Sequence, residues 1–203
     1  MTTAPQSLCA LGLTVKSGWA AAVLLTVVDR TPRVLAIRRV ELSDPAVPES
    51  RQPYHDGFGT ARKEGAALEK LLDSIQSFAR QSLGQALADL GSQGTQLTGA
   101  ALVVGSLTDP ETIANEHMRI HGREGQLFRR VIENALTDRG VSFEIRRERD
   151  LWKLAAQTLA MSEASLRAKI GAIDRVPASP WRVEQKAAAV AAWLLLAGRK
   201  SPV

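Results

Sequence analysis

Two of the chain's 3 histidines, His117 and His121, stand four residues apart in the densest polar segment of the sequence, Asn115-Glu116-His117-Met118-Arg119-Ile120-His121-Gly122-Arg123-Glu124-Gly125. On a helix, that spacing puts both imidazoles on one face. There they can grip a transition metal, with Glu116 or Glu124 adding an oxygen. Two features argue against it. Met118 occupies the position that a His-Glu-x-x-His motif gives to glutamate, and Gly122 speaks against an uninterrupted helix. The sequence therefore assigns no metal here, no cofactor anywhere and no catalytic residue. The same segment suits a second chemistry, because Arg119, Arg123, Arg129 and Arg130 can fork onto phosphate oxygens while His121 adds a donor. Arg146, Arg147 and Arg149 would join them at one sheet edge. The candidate ligand-binding set is His117, Arg119, His121, Arg123, Glu124, Arg130 and Arg147. The plainer reading is a solvated helix start whose charges pair locally, and the interleaved Glu133, Glu144, Glu148 and Asp150 favour it.

The flanking pattern says which elements must position these groups. Leu8 to Val15, a turn at Lys16-Ser17-Gly18, and Trp19 to Val28 read as a hairpin. After Asp29 to Pro32, Val34 to Leu42 alternates with a period of two, as an edge strand does. Residues 43–59 carry three prolines and few aliphatics, which predicts a long irregular surface connection. Tyr54, His55 and Phe58 in it could stack on a base or form a lid; a loop without function is the simpler reading. Leucines and isoleucines from Leu68 to Leu90 recur at steps of three and four, predicting a helix that stops near Gly91. Leu97 to Val104 is an apolar run suited to a central parallel strand. A turn at Asp109-Pro110, a helix from about Glu124 to Arg139, a strand over Val141 to Arg147 and helices over Leu151 to Met161 and Glu163 to Ile170 follow. Ser179-Pro180 is expected to cap a last helix that reaches Ala197.

Composition narrows the classes. The 203 residues are 45% hydrophobic and 23% charged, enough for one sizeable core, so the reading is one α/β domain over residues 1–203. No apolar stretch approaches the roughly 20 residues that span a bilayer, so no membrane partner is expected. The first residues lack the basic start of a secretory signal. A single cysteine, Cys9, excludes an internal disulfide and a thiolate zinc site, and its apolar strand argues for burial; a cytoplasmic location fits. Trp19, Trp152, Trp181 and Trp193 read as packing residues. A net charge of +5 favours polyanions only weakly.

Strand, strand, strand, helix, strand, helix, strand, helix, helix implies a mixed sheet of five strands, three antiparallel and the later ones parallel, flanked by helices. This order resembles the ribonuclease H-like superfamily. Leu11-Gly12-Leu13-Thr14 with Ser17-Gly18-Trp19-Ala20, and the Ala-rich Lys186 to Ala192, look like the first hairpin and final helix of its RuvC-like resolvase branch. The resemblance implies phosphodiester cleavage if three or four carboxylates hold two divalent cations. The position mid-way along the opening strand holds Leu13 and Thr14. The end of the fourth strand holds Val104-Gly105-Ser106, with Asp109 beyond it, and the final helix offers Glu184 one turn before its alanines. Actin-like ATPases open similarly, but Gly12 and Gly18 around Lys16-Ser17 read as a hairpin turn. The expectation is a non-catalytic module that binds nucleic acid or another phosphate-rich partner. The alternatives are a metal-dependent nuclease or phosphohydrolase with a displaced site around His117, His121, Glu124 and Asp109, and an interaction scaffold that dimerises through Val34 to Leu42.

Overall fold

The computed structural model describes residues 7–57, 60–91, 95–175 and 179–198. Five strands form one mixed sheet: β1 (Leu8–Lys16), β2 (Trp19–Val28), β3 (Thr31–Glu41), β4 (Gln96–Val104) and β5 (Phe143–Arg147), in the order β3-β2-β1-β4-β5. β1–β2 and β2–β3 are antiparallel, while β1–β4 and β4–β5 are parallel. The apolar run expected at the centre is β4, which lies one place off it. β1 is the middle strand, and both its faces are buried. Leu11, Leu13 and Val15 point into the layer of α1 (Ala66–Gly91) and α2 (Glu116–Thr137). Ala10, on the opposite face, joins the core formed with α3 (Glu148–Thr158), α4 (Glu163–Gly171) and α5 (Val183–Gly198).

Gly12 shows how closely the second layer packs. A Cβ built there would lie 1.8 Å from the Ala188 carbonyl oxygen of α5, so only glycine fits. The small side chains of α5, Ala187 to Ala192, are all buried and let its backbone come this close to the sheet.

Three boundaries differ from the sequence expectation. α2 starts at Glu116, eight residues before Glu124, and runs through Gly122 and Gly125; Asn115 caps it by accepting a hydrogen bond from the Met118 amide at 3.0 Å. α5 starts at Val183, so Ser179-Pro180 precedes the helix instead of capping it; Gln185 Oε1 accepts from the Arg182 amide at the turn that opens it. β5 begins at Phe143. β3 is an edge strand as expected, but its outer side is partly occupied, because the Val34 amide donates to the Asp174 carbonyl at 3.0 Å. Among the described residues no helix is long and apolar enough to cross a membrane.

β1, β3, β4 and β5 run in one direction, so the chain leaves all four at the same edge of the sheet. The connection after β3 and the start of α2 after β4 both grow from that edge. In open α/β sheets this is where loops diverge and ligands bind.

Candidate functional site

At this edge the two elements meet in a histidine cluster. His117 and His121 occupy the first two turns of α2, and their Nε2 atoms are 3.2 Å apart. His55 arrives from the connection after β3, its ring centroid 4.8 Å from that of His121 and 6.0 Å from that of His117. The three imidazoles offer ring nitrogens within 4.8 Å of one another, the one such grouping of histidine, cysteine or acidic side chains among the described residues. They line a surface depression of about 510 Å³ together with Glu49, Gln52 and Arg62.

Glu124 lies beneath them. Its side chain is 0% exposed, and a 2.7 Å hydrogen bond joins Oε1 to His55 Nδ1. Oε2 stands 3.7 Å from His121 Nδ1 and makes no hydrogen bond. Burial pushes this carboxyl above its usual range, while the contacts with His55, His121 and the Tyr54 backbone work the other way. Arg62 holds His55 in place from behind, donating from Nε to the Pro53 carbonyl at 2.8 Å and from Nη2 to the His55 carbonyl at 3.0 Å.

The sequence brings out His117, His121 and Glu124 but leaves His55 in a loop of no assigned role. The structure makes His55 the partner of Glu124. Phe58, paired with it in the sequence reading, lies outside the described residues.

Most of these arginines are engaged with an acid or a carbonyl. Arg123 makes a two-pronged salt bridge to Glu111, at 2.7 and 3.0 Å, and reaches Glu64 at 3.6 Å. That bridge holds the Glu111 carboxyl below its usual range. Arg119 donates to the Ile113 carbonyl at 3.1 Å, and Arg147 pairs with Asp150 at 2.6 Å. Arg129 pairs with Glu133, Arg146 with Glu144 and Lys16 with Glu148. Arg130 is exposed on α2. Lys16, Arg119, Arg123, Arg146 and Arg147 thus flank the edge, most of them already holding an acid, while Arg129 and Arg130 lie further along α2.

The ground between β1 and α5, where the resemblance implies acidic metal ligands, is filled differently. Thr14 is fully buried, and its hydroxyl donates to the Glu184 carbonyl at 2.9 Å, tying β1 to the first turn of α5. One residue pair earlier, Gly12 abuts Ala188. Asp109 accepts from the Glu111 amide and caps the short 3-10 turn at Pro110–Thr112, while Asp150 is spent on Arg147. Asp109, Asp150 and Glu184 do not form a metal-ligating group. Uncharged hydroxyl and methyl groups supply no hard anionic oxygens, so these residues do not fit a two-magnesium centre.

This fold is ribonuclease H-like in its RuvC-like form. RuvC from Thermus thermophilus bound to a Holliday junction substrate superposes with a TM-score of 0.52 at 10% identity, over 94% of this chain and 93% of that one. A second Thermus thermophilus RuvC structure gives 0.52 and 10%, over 93% of each chain. The yeast mitochondrial Holliday junction resolvase Ydc2 matches more loosely, with a TM-score of 0.47 at 7% identity over 95% of this chain and 78% of that one. No protein-family model and no curated protein matches the chain.

Proposed function

We propose that the protein is a RuvC-like module that binds nucleic acid, or another phosphate-rich partner, without cleaving it by two-magnesium chemistry. One observation carries the second half of this reading: the Thr14 hydroxyl and the Glu184 carbonyl occupy the ground between β1 and α5 where the resemblance calls for carboxylates. Three things support the first half. These are the shared fold, the net charge of +5, and the band of lysine and arginine around the edge where β1, β4 and β5 end. Ion pairing does not remove these cations. A phosphate can displace an exposed carboxylate partner, because such surface pairs are weak.

The reading is tested by fluorescence anisotropy with labelled four-way junction, duplex and single-stranded DNA and RNA across a salt series. Binding whose log affinity falls linearly with log salt supports it, with a slope of about −0.9 for each phosphate neutralised on duplex DNA. Affinity that ignores salt, or no binding at low salt, rejects it.

A second reading is favoured by the histidines. A metal-dependent phosphodiesterase or phosphohydrolase could be built on His117 and His121, with Glu124 behind them and Arg62 beside the same depression. Hydrolysis of a phosphodiester that requires a transition metal and disappears in His121→Ala would support this reading over the non-catalytic one.

A further inference from the structure

We propose that His55, His117 and His121 form a binding site for one divalent transition metal of the zinc class, with Glu124 as the buried residue that orients His55. The proposal is independent of nucleic-acid binding and names the metal class on which the second reading would rest.

Three geometric facts converge. In a tetrahedral site with metal–nitrogen distances of about 2.0–2.1 Å, two ligand nitrogens sit about 3.3 Å apart. The Nε2 atoms of His117 and His121 are 3.2 Å apart, already in that relation, and α2 fixes them one turn from each other. His55 presents its edge from the opposite element. Its Nδ1 is engaged by Glu124 at 2.7 Å, which leaves Nε2 as the ring nitrogen to offer a metal. A histidine whose second nitrogen donates to a buried carboxylate is the arrangement that fixes tautomer and ring direction in metal sites.

The third ligand stands slightly open. The ring nitrogens lie within 4.8 Å of one another, so His55 has to move inward by about 1 Å or more to reach the spacing of a bound state. It sits on the connection after β3, in an isolated bridge with Ala61, so the adjustment is one of that connection against α2. Arg62 restrains its backbone and Glu124 its ring, so the closing movement is a small shift that keeps the Nδ1–Glu124 bond.

Ligand chemistry selects the ion. Three imidazoles suit zinc, cobalt, nickel and copper, whereas magnesium and calcium require oxygen ligands. A carboxylate behind the ring offsets part of the metal's charge in a site closed from below. Above, the cluster faces the depression lined by Glu49, Gln52 and Arg62, so a fourth position stays open for water or a ligand oxygen. Three protein ligands and one open position is the pattern of a catalytic rather than a structural zinc site. The Glu124 Oε2 atom, buried and without a hydrogen bond, is the second independent sign that this group is arranged for something beyond packing.

The test uses the untagged 203-residue chain, stripped with chelator, and Zn²⁺ and Co²⁺ as probes. The expected result is one equivalent of Zn²⁺ bound with submicromolar affinity by competition with a chromophoric chelator, and visible absorption bands of four-coordinate Co²⁺. His121→Ala, an exposed position whose loss should leave the fold intact by circular dichroism, weakens Zn²⁺ at least 100-fold, and His55→Ala does so to a similar degree. Glu124→Gln keeps a hydrogen-bonding partner for His55 and weakens binding by about 10–100-fold. Six-coordinate Co²⁺ spectra, binding of less than a molar equivalent, or affinity unchanged in His55→Ala would each overturn the assignment. Nucleic-acid binding measured in chelator reports separately on the proposed function, so failure of one leaves the other standing or falling on its own data.

Discussion

The Thr14 hydroxyl donates to the Glu184 carbonyl at 2.9 Å, and that bond joins the middle strand of the sheet to the helix that packs across it. In a fold of RuvC-like form this is the junction at which the resemblance places acidic metal ligands. Here it is a packing contact. Thr14→Val keeps the volume and removes the bond, so it should cost about 1 kcal/mol in stability while leaving nucleic-acid affinity unchanged. Denaturant unfolding followed by tryptophan fluorescence gives the first number and anisotropy the second. A large loss of affinity with unchanged stability would mean that Thr14 touches the ligand.

Gly12 lies two residues before Thr14 on the same face of β1 and meets the α5 backbone directly. Gly12→Ala must push α5 off the sheet. Overpacking of this kind costs roughly 1–3 kcal/mol, and the contact with a backbone oxygen places it at the upper end. In a chain of this length, the melting temperature should fall by about 5–10 °C. A Gly12→Ala protein that melts like the parent would show that α5 is less tightly seated than the structure places it.

Arg123 and Glu111 clasp the turn after β4 to the second turn of α2. The sign of the pH effect follows from the direction of the shift. The Glu111 carboxyl is held below its usual value in the folded state, so its contribution is present at neutral pH and is lost as pH falls through the lowered value. In Arg123→Gln, Glu111 should titrate back toward the ordinary carboxylate value of 4.5. A carboxyl-carbon NMR titration of the two proteins reads the difference. Identical midpoints would mean that the pair does not persist in solution.

The fold was legible because it rests on periodicity. A doubly covered β1 and β4, the three-and-four stripe of α1 and the alanines of α5 each carry a local pattern that needs no knowledge of the partner element. The site was only half legible, for two physical reasons. Gly122 reads as a helix breaker, yet in α2 it faces Pro110 and Ile113, where a Cβ would come within 3.3 Å of the Pro110 side chain; the helix runs through it and packs closely there. His55 is separated from Glu124 by 69 positions and lies in a proline-rich connection with no periodicity, so nothing local marks it. The arginines show the reverse. Their clustering is plain in the sequence, and so is Asp150 three residues after Arg147, but Glu111 becomes the partner of Arg123 only through folding.

Arg130 and Arg147 are the two cations of the candidate set most exposed at the surface for a phosphate to reach. The double substitution Arg130→Ala and Arg147→Ala should weaken binding to unrelated nucleic-acid sequences alike. It should also flatten the log affinity against log salt line by about 1 for each lost phosphate contact. A parallel line in the double variant would place the binding surface elsewhere.

The most direct test incubates the 203-residue chain with labelled four-way junction, duplex and single-stranded DNA at concentrations where anisotropy reports saturation, with Mg²⁺ or Mn²⁺ present, and resolves the strands by denaturing electrophoresis. The account predicts bound but intact DNA with either ion. Nicking that depends on Mg²⁺ and vanishes in Asp109→Asn or Glu184→Gln would contradict it, because those acids would then be converging on a metal that Thr14 and Ala188 leave no ligands to hold.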